Sequence, residues 1–181
     1  MSTIVECVSG SAFYDNKLYL VYRLRNTIHV FSADLYRELK VITVKGMRFP
    51  LHIVACHDNR QLYVADSGNC PSDECIWRVS AVKPSQYRKW LSTGSADVQS
   101  MSVRSSTLLV TLPGSLRRYS TTGGHLMCEI TLPLFVEYLY HAVETQRGTF
   151  VVGHRGTELS DLHAGVSKLF SMLDSIHTWA N

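Results

Sequence analysis

The sequence predicts an all-β repeat protein whose unit is a set of four short antiparallel strands. Three observations carry that expectation. Apolar and polar residues alternate with period two through most of the chain, one strand pattern recurs roughly every 45 residues, and polar turn-forming breaks separate the runs. The recurring strand reads KLYLVY at 17–22, QLYVAD at 61–66, TLLVTL at 107–112 and TFVVGH at 149–154. It places an apolar or aromatic side chain at Leu18, Leu62, Leu108 and Phe150.

The remaining strands of each unit follow in order. After each of the first three recurring strands comes a second one: TIHVFS at 27–32, CIWRVS at 75–80 and SLRRYS at 115–120. A third follows as ELKVITV at 38–44, YRKWLST at 87–93 and HLMCEITL at 125–132. A fourth run leads into the next unit: PLHIVAC at 50–56, DVQSMSV at 97–103 and EYLYHAV at 137–143. In NTIHVFS, Asn26, Ile28 and Val30 fall on one face and Thr27, His29 and Phe31 on the other, as a half-buried strand requires. HDNRQ, RSST, TTGG and TQRG supply the turns.

Four strands repeating at this interval make a β-propeller blade. Three complete units and the start of a fourth predict a partial, open propeller over residues 1–165, with the fourth unit lacking its outer strands after Gly153. Unpaired edges are expected at both ends of such an array. The tail at 166–181 reads differently: Val166, Leu169, Phe170, Leu173 and Ile176 recur at helical spacing, which predicts a short C-terminal helix capping the last blade.

The second unit carries a family resemblance. PLHIVACHDNRQLYVADSGN followed by IWRVS resembles an NHL repeat through Pro50, Ile53, Val54, Ala55, Leu62, Tyr63, Val64, Ala65, Asp66, Asn69, Ile76 and Val79. The position of Asp66 is taken by Tyr22, Leu112 and His154 in the other units, so the motif covers residues 50–80 and the architecture the rest. The resemblance implies propellers that are usually six-bladed. It also implies two kinds of relative to weigh, one binding single-stranded RNA and one using calcium for lactonase or esterase chemistry.

Composition narrows the function classes. With 45% hydrophobic and 18% charged residues in 181, the chain is long enough for a real core. The net charge of +3 is spread thinly, and Arg23/Arg25, Arg88/Lys89 and Arg117/Arg118 never extend into a run that would mark DNA binding. There is no signal-peptide pattern and no apolar run of membrane-spanning length, so a cytoplasmic protein without a membrane partner is expected. Five cysteines, an odd number, fit reduced thiols better than a disulfide framework.

Cys70 and Cys75 bracket an insertion of about four residues in a blade hairpin, judged against the usual blade spacing. A single Cys-x4-Cys without a second ligand pair argues against zinc, which leaves an exposed loop holding two thiols. No nucleophile elbow and no phosphate-binding glycine loop occur, and no motif ties a histidine to a second catalytic group. The expectation is therefore a non-catalytic scaffold without cofactor or metal, binding a protein partner through inter-blade loops. Asp66, Ser67, Asn69, Asp73 and Glu74 form the leading loop. The alternative is single-stranded RNA on a basic, aromatic face made by Tyr22, Arg23, Arg25, Trp77, Arg78, Arg117, Arg118 and Tyr119. A second alternative is a degenerate calcium-dependent hydrolase, for which the inner strands offer Asp97, Glu137 and Glu144.

Overall fold

The computed structural model describes residues 7–69, 73–94, 97–133, 138–155 and 164–171. Every regular element among them is a strand. The chain divides into two compact units, Met1–Val98 and Gln99–Asn181.

The first unit holds two four-stranded antiparallel sheets. One runs β1 (Val8–Tyr14), β2 (Lys17–Tyr22), β3 (Thr27–Ser32), β4 (Glu38–Thr43); the other runs β5 (Pro50–Cys56), β6 (Gln61–Asp66), β7 (Cys75–Ser80), β8 (Tyr87–Ser92). Alternation sends Tyr19, Val21, Ile28, Val30 and Ile42 of the first sheet into one core with Ile53, Leu62, Val64, Trp77 and Val79 of the second. β1 and β2 are joined by Asp15 and Asn16, both at positive φ (50° and 54°), the two-residue turn whose twist matches an antiparallel hairpin. Gly10 lets β1 lie against β5: a Cβ there would stand 3.0 Å from His52 Cα and Ile53 N.

The second unit holds β9 (Ser100–Arg104), β10 (Thr107–Leu112), β11 (Ser115–Ser120) and β12 (Leu126–Thr131) as a four-stranded sheet. Beside them β13 (Tyr138–Glu144), β14 (Thr149–Arg155) and β15 (Ala164–Ser171) form a three-stranded one. Leu109, Leu116, Leu132, Leu139, Ala142, Phe150 and Val152 make its core.

The structure corrects the sequence reading in four places. The runs at 50–56, 97–103 and 137–143 do not end their units but open the next sheets, because tight turns join them to the recurring strands. Cys56 pairs with Gln61, Arg104 with Thr107 and Glu144 with Phe150. The third of these strands starts at Ser100, so Asp97 precedes it. β1 was not anticipated at all, since VSGSAFY has too few apolar positions to alternate. Finally, the predicted C-terminal helix is replaced over Ala164–Ser171 by a strand paired to β14, so the fourth sheet does have a third strand beyond Gly153. Val166, Leu169 and Phe170 lie in that strand, and Leu173 and Ile176 lie outside the described residues. The reason is the free edge of β14, whose backbone groups only another strand can pair in register; this outweighs a short helical spacing.

Candidate functional site

The β6–β7 connection at 67–74 stands where β2–β3 has only 23–26 and β10–β11 only 113–114. The residue that organises it is Asp66, the last of β6, which is 3% exposed. Its Oδ1 accepts from Phe49 N at 2.7 Å and Gly68 N at 3.2 Å; its Oδ2 accepts from Arg48 N at 3.0 Å and Trp77 Nε1 at 2.9 Å. One carboxylate thus holds the chain entering β5, the turn leaving β6 and the indole of β7. Four donors converge on it, and charge-assisted bonds of this kind are the strong ones. Ser67 extends the seam, with its N and Oγ both donating to the carbonyl of Phe49 at 3.1 Å and 3.4 Å.

This arrangement sorts the predicted loop residues. Asp66 is a buried clamp rather than a contact surface, because all its acceptor capacity is turned inward. Asn69 and Asp73 are exposed, Ser67 is half-buried, and Glu74 is buried at 6% exposure. Gly68, at φ 64°, packs so tightly on Asp73 that a Cβ would meet the Asp73 Cβ at 2.5 Å, which explains a glycine at this bend. Cys70 lies outside the described residues. Cys75 does not sit in an exposed loop as expected: it is the first residue of β7, 3% exposed, and belongs to the core. Burial, with Asp66 adding to it, pushes its thiol up to about 11, so it is a poor nucleophile at neutral pH.

Two of the aromatic residues assigned to an RNA face are buried. Trp77 is 5% exposed with its indole donor committed to Asp66, and Tyr119 is 7% exposed, so neither offers a ring face for base stacking. Arg117 Nε donates to Glu129 Oε1 at 2.9 Å, and Arg118 Nε lies 3.3 Å from Glu144 Oε2. Tyr22 and Arg78 are half-buried, with Tyr22 edge-on to His29 at 5.0 Å between centroids; Arg23 and Arg25 are exposed.

Glu144 is spent on Arg118 and on Arg104 at 3.7 Å, Glu137 lies outside the described residues, and Asp97 stands in the lead-in to β9. Asp97 neighbours Glu74, which precedes it by 23 positions in the sequence with β7 and β8 between them. Burial raises the Glu74 carboxyl above the usual range, and Asp97 raises it further. Next to this pair opens a shallow pocket of about 140 Å³ lined by Asp73, Glu74, Lys89 and Trp90 among others.

No protein-family model and no curated protein sequence matches the chain. Solved structures do. U3-55K superposes with a TM-score of 0.68 at 13% identity, over 91% of this chain and 53% of that one. The WD40 repeats of RRP9 superpose at 0.66 and 14% identity, over 84% of this chain and 46% of that one. A chain of the Mitotic Checkpoint Complex superposes at 0.62 and 11% identity, over 90% and 51%. The fold is that of a β-propeller. The chain spans about half the length of these propellers, and at such identities the likeness extends to the fold and no further.

Proposed function

We propose that this propeller is a non-catalytic scaffold that binds protein partners through its inter-blade loops, with the β6–β7 loop as the leading contact. The supporting observation is a hairpin loop longer than the β2–β3 and β10–β11 connections, exposed at Asn69 and Asp73 and anchored at its base by the four hydrogen bonds of Asp66. Residues fixed at the base of a loop are presented from a rigid frame, the usual setting of binding loops. A propeller of the same fold is part of a Mitotic Checkpoint Complex, which supports an assembly role by analogy of fold alone. Asp66, Asn69 and the strands around them support an NHL-type assignment for the second blade.

The test is affinity capture with the whole chain and with the double variant Asn69→Ala/Asp73→Ala, with Arg88→Ala on the edge strand β8 as a control. A protein retained by the wild type and the control but lost by the loop variant supports the reading. Equal retention by all three, or retention of none by the wild type, overturns it. Low-salt binding to a single-stranded RNA would redirect it to the second reading, since phosphate contacts are strongest there.

A further inference from the structure

Two buried side-chain oxygen atoms in the first unit have no hydrogen-bond partner among the described residues, and their residues are paired through the backbone. Thr93 N donates to the carbonyl of Glu74 at 3.2 Å, one step beyond the Cys75–Ser92 pair of β7 and β8. Residues opposed in this way project side chains to the same side, with Cβ atoms roughly 4.5–5.5 Å apart. Glu74 is 6% exposed and Thr93 4%, and Glu74 Oε2 and Thr93 Oγ1 are the partnerless atoms. The Asp97 carboxylate stands beside Glu74 and is itself exposed, which connects the cluster to solvent.

Buried polar atoms are rarely left unpaired, and each such case requires a physical account. A buried carboxylate beside a second carboxylate is stabilised by a proton or by a cation. A proton shared by Glu74 and Asp97 neutralises one charge and leaves the Thr93 oxygen idle. A cation set among the three uses lone pairs from all of them. The donors are all oxygen, two carboxylates and one hydroxyl, which suits a hard ion rather than zinc or copper. Lys89 lines the adjoining pocket, but its ammonium lies 5.9 Å from the Trp77 ring centroid, over the indole.

We propose that Glu74, Thr93 and Asp97 form a binding site for a divalent cation of the calcium class, at the open end of the β7–β8 hairpin. Two protein charges and a strand-end geometry place it among weak, flexible sites that complete their coordination with water. The role is to fasten the β6–β7 loop to the chain leaving β8. It is independent of the scaffold reading, which stands or falls on the loop tip.

Terbium(III) luminescence tests it, because Trp90 lines the adjoining pocket and can sensitise the ion. The expected result is saturable luminescence from the whole chain, displaced by calcium at lower concentration than by magnesium. Glu74→Gln and Thr93→Val should each weaken terbium binding by about tenfold or more, as loss of groups in a metal site does. Asp58→Asn, an exposed carboxylate elsewhere in the unit, should change nothing. Thr93→Val keeps every charge, so a diffuse attraction to acidic surface would survive it. Asp97→Asn, at an exposed position, keeps the test open if the buried variants fail to fold. Absence of saturable luminescence, or equal binding by Asp97→Asn and the wild type, overturns the proposal.

Discussion

The second and third sheets end their recurring strands in opposite ways. β6 closes on Asp66, a buried carboxylate with four donors around it; β10 closes on Leu112, 1% exposed, with only a Pro113–Gly114 turn to follow. Near the start of β9, the chain is held by backbone and hydroxyl bonds instead: Gln99 N to Thr111 O at 2.9 Å, and Ser100 Oγ to Thr111 Oγ1 at 2.9 Å. The lead-in to the sheet's first strand is therefore tied to the end of its second by a charged clamp in one sheet and by neutral bonds beside an apolar end in the other. A signature aspartate of this kind is a structural part, and its absence from a neighbouring blade changes the means of closure without changing the architecture.

A reciprocal exchange breaks this comparison most severely. Asp66→Leu strands the amides of Arg48, Phe49 and Gly68 and the Trp77 indole without an acceptor, and should cost about 4 kcal/mol or more. Leu112→Asp buries a charge with no such donors and should cost about 4 kcal/mol. Urea midpoints for the two variants measure both. If either exchange were neutral, the two closures would be interchangeable and the clamp idle.

Trp77→Phe is a narrower cut. It removes one donor to Asp66 and part of a buried ring while leaving the three amide bonds, and should lower stability by about 2–3 kcal/mol in the same titration.

Cys75, opposite Asp66 in the register, gives a pH test. Burial raises its thiol, so the unfolded chain releases this proton first as pH climbs past the ordinary 9.0. The stabilisation is complete below that point and is lost as pH rises towards about 11, on the order of 2 kcal/mol. Stability curves of the wild type and Cys75→Ala measured from pH 8 upwards should converge across this window. Parallel curves would mean that the thiol is solvated.

The smallest effect belongs to the third sheet. Arg117 and Glu129 pair across β11 and β12 with both side chains partly exposed, and Glu129→Gln should cost only about 0.5 kcal/mol, vanishing at high salt.

The strands with clear alternation were legible in sequence almost to the residue. KLYLVY, QLYVAD, CIWRVS and SLRRYS became β2, β6, β7 and β11. What alternation cannot convey is which neighbour a strand joins, so β5, β9 and β13 were assigned to the wrong sheets; short turns decided that. β1 stayed hidden because its place depends on Gly10 fitting against β5, a long-range fact. β15 stayed hidden because helical and extended spacings overlap in so short a run. In the candidate site, the blade pattern singles out Asp66 and Asn69, but burial is not readable from it, and burial separates the inward-turned Asp66 from the exposed Asn69. The Glu74–Thr93–Asp97 grouping had no sequence signal, since cross-strand pairing alone brings it together.

The clamp on Asp66 also bears on the order in which the chain folds. Its four bonds span 18, 17, 2 and 11 positions, all short separations for a β protein. Loops of this size close in roughly 10–100 ns, far faster than the pairing of distant strands. On a translating ribosome, every partner of the clamp is available once Trp77 has emerged, before the second unit, Gln99–Asn181, has left the exit tunnel. The second sheet can therefore assemble early and present β5 as a finished surface to β1.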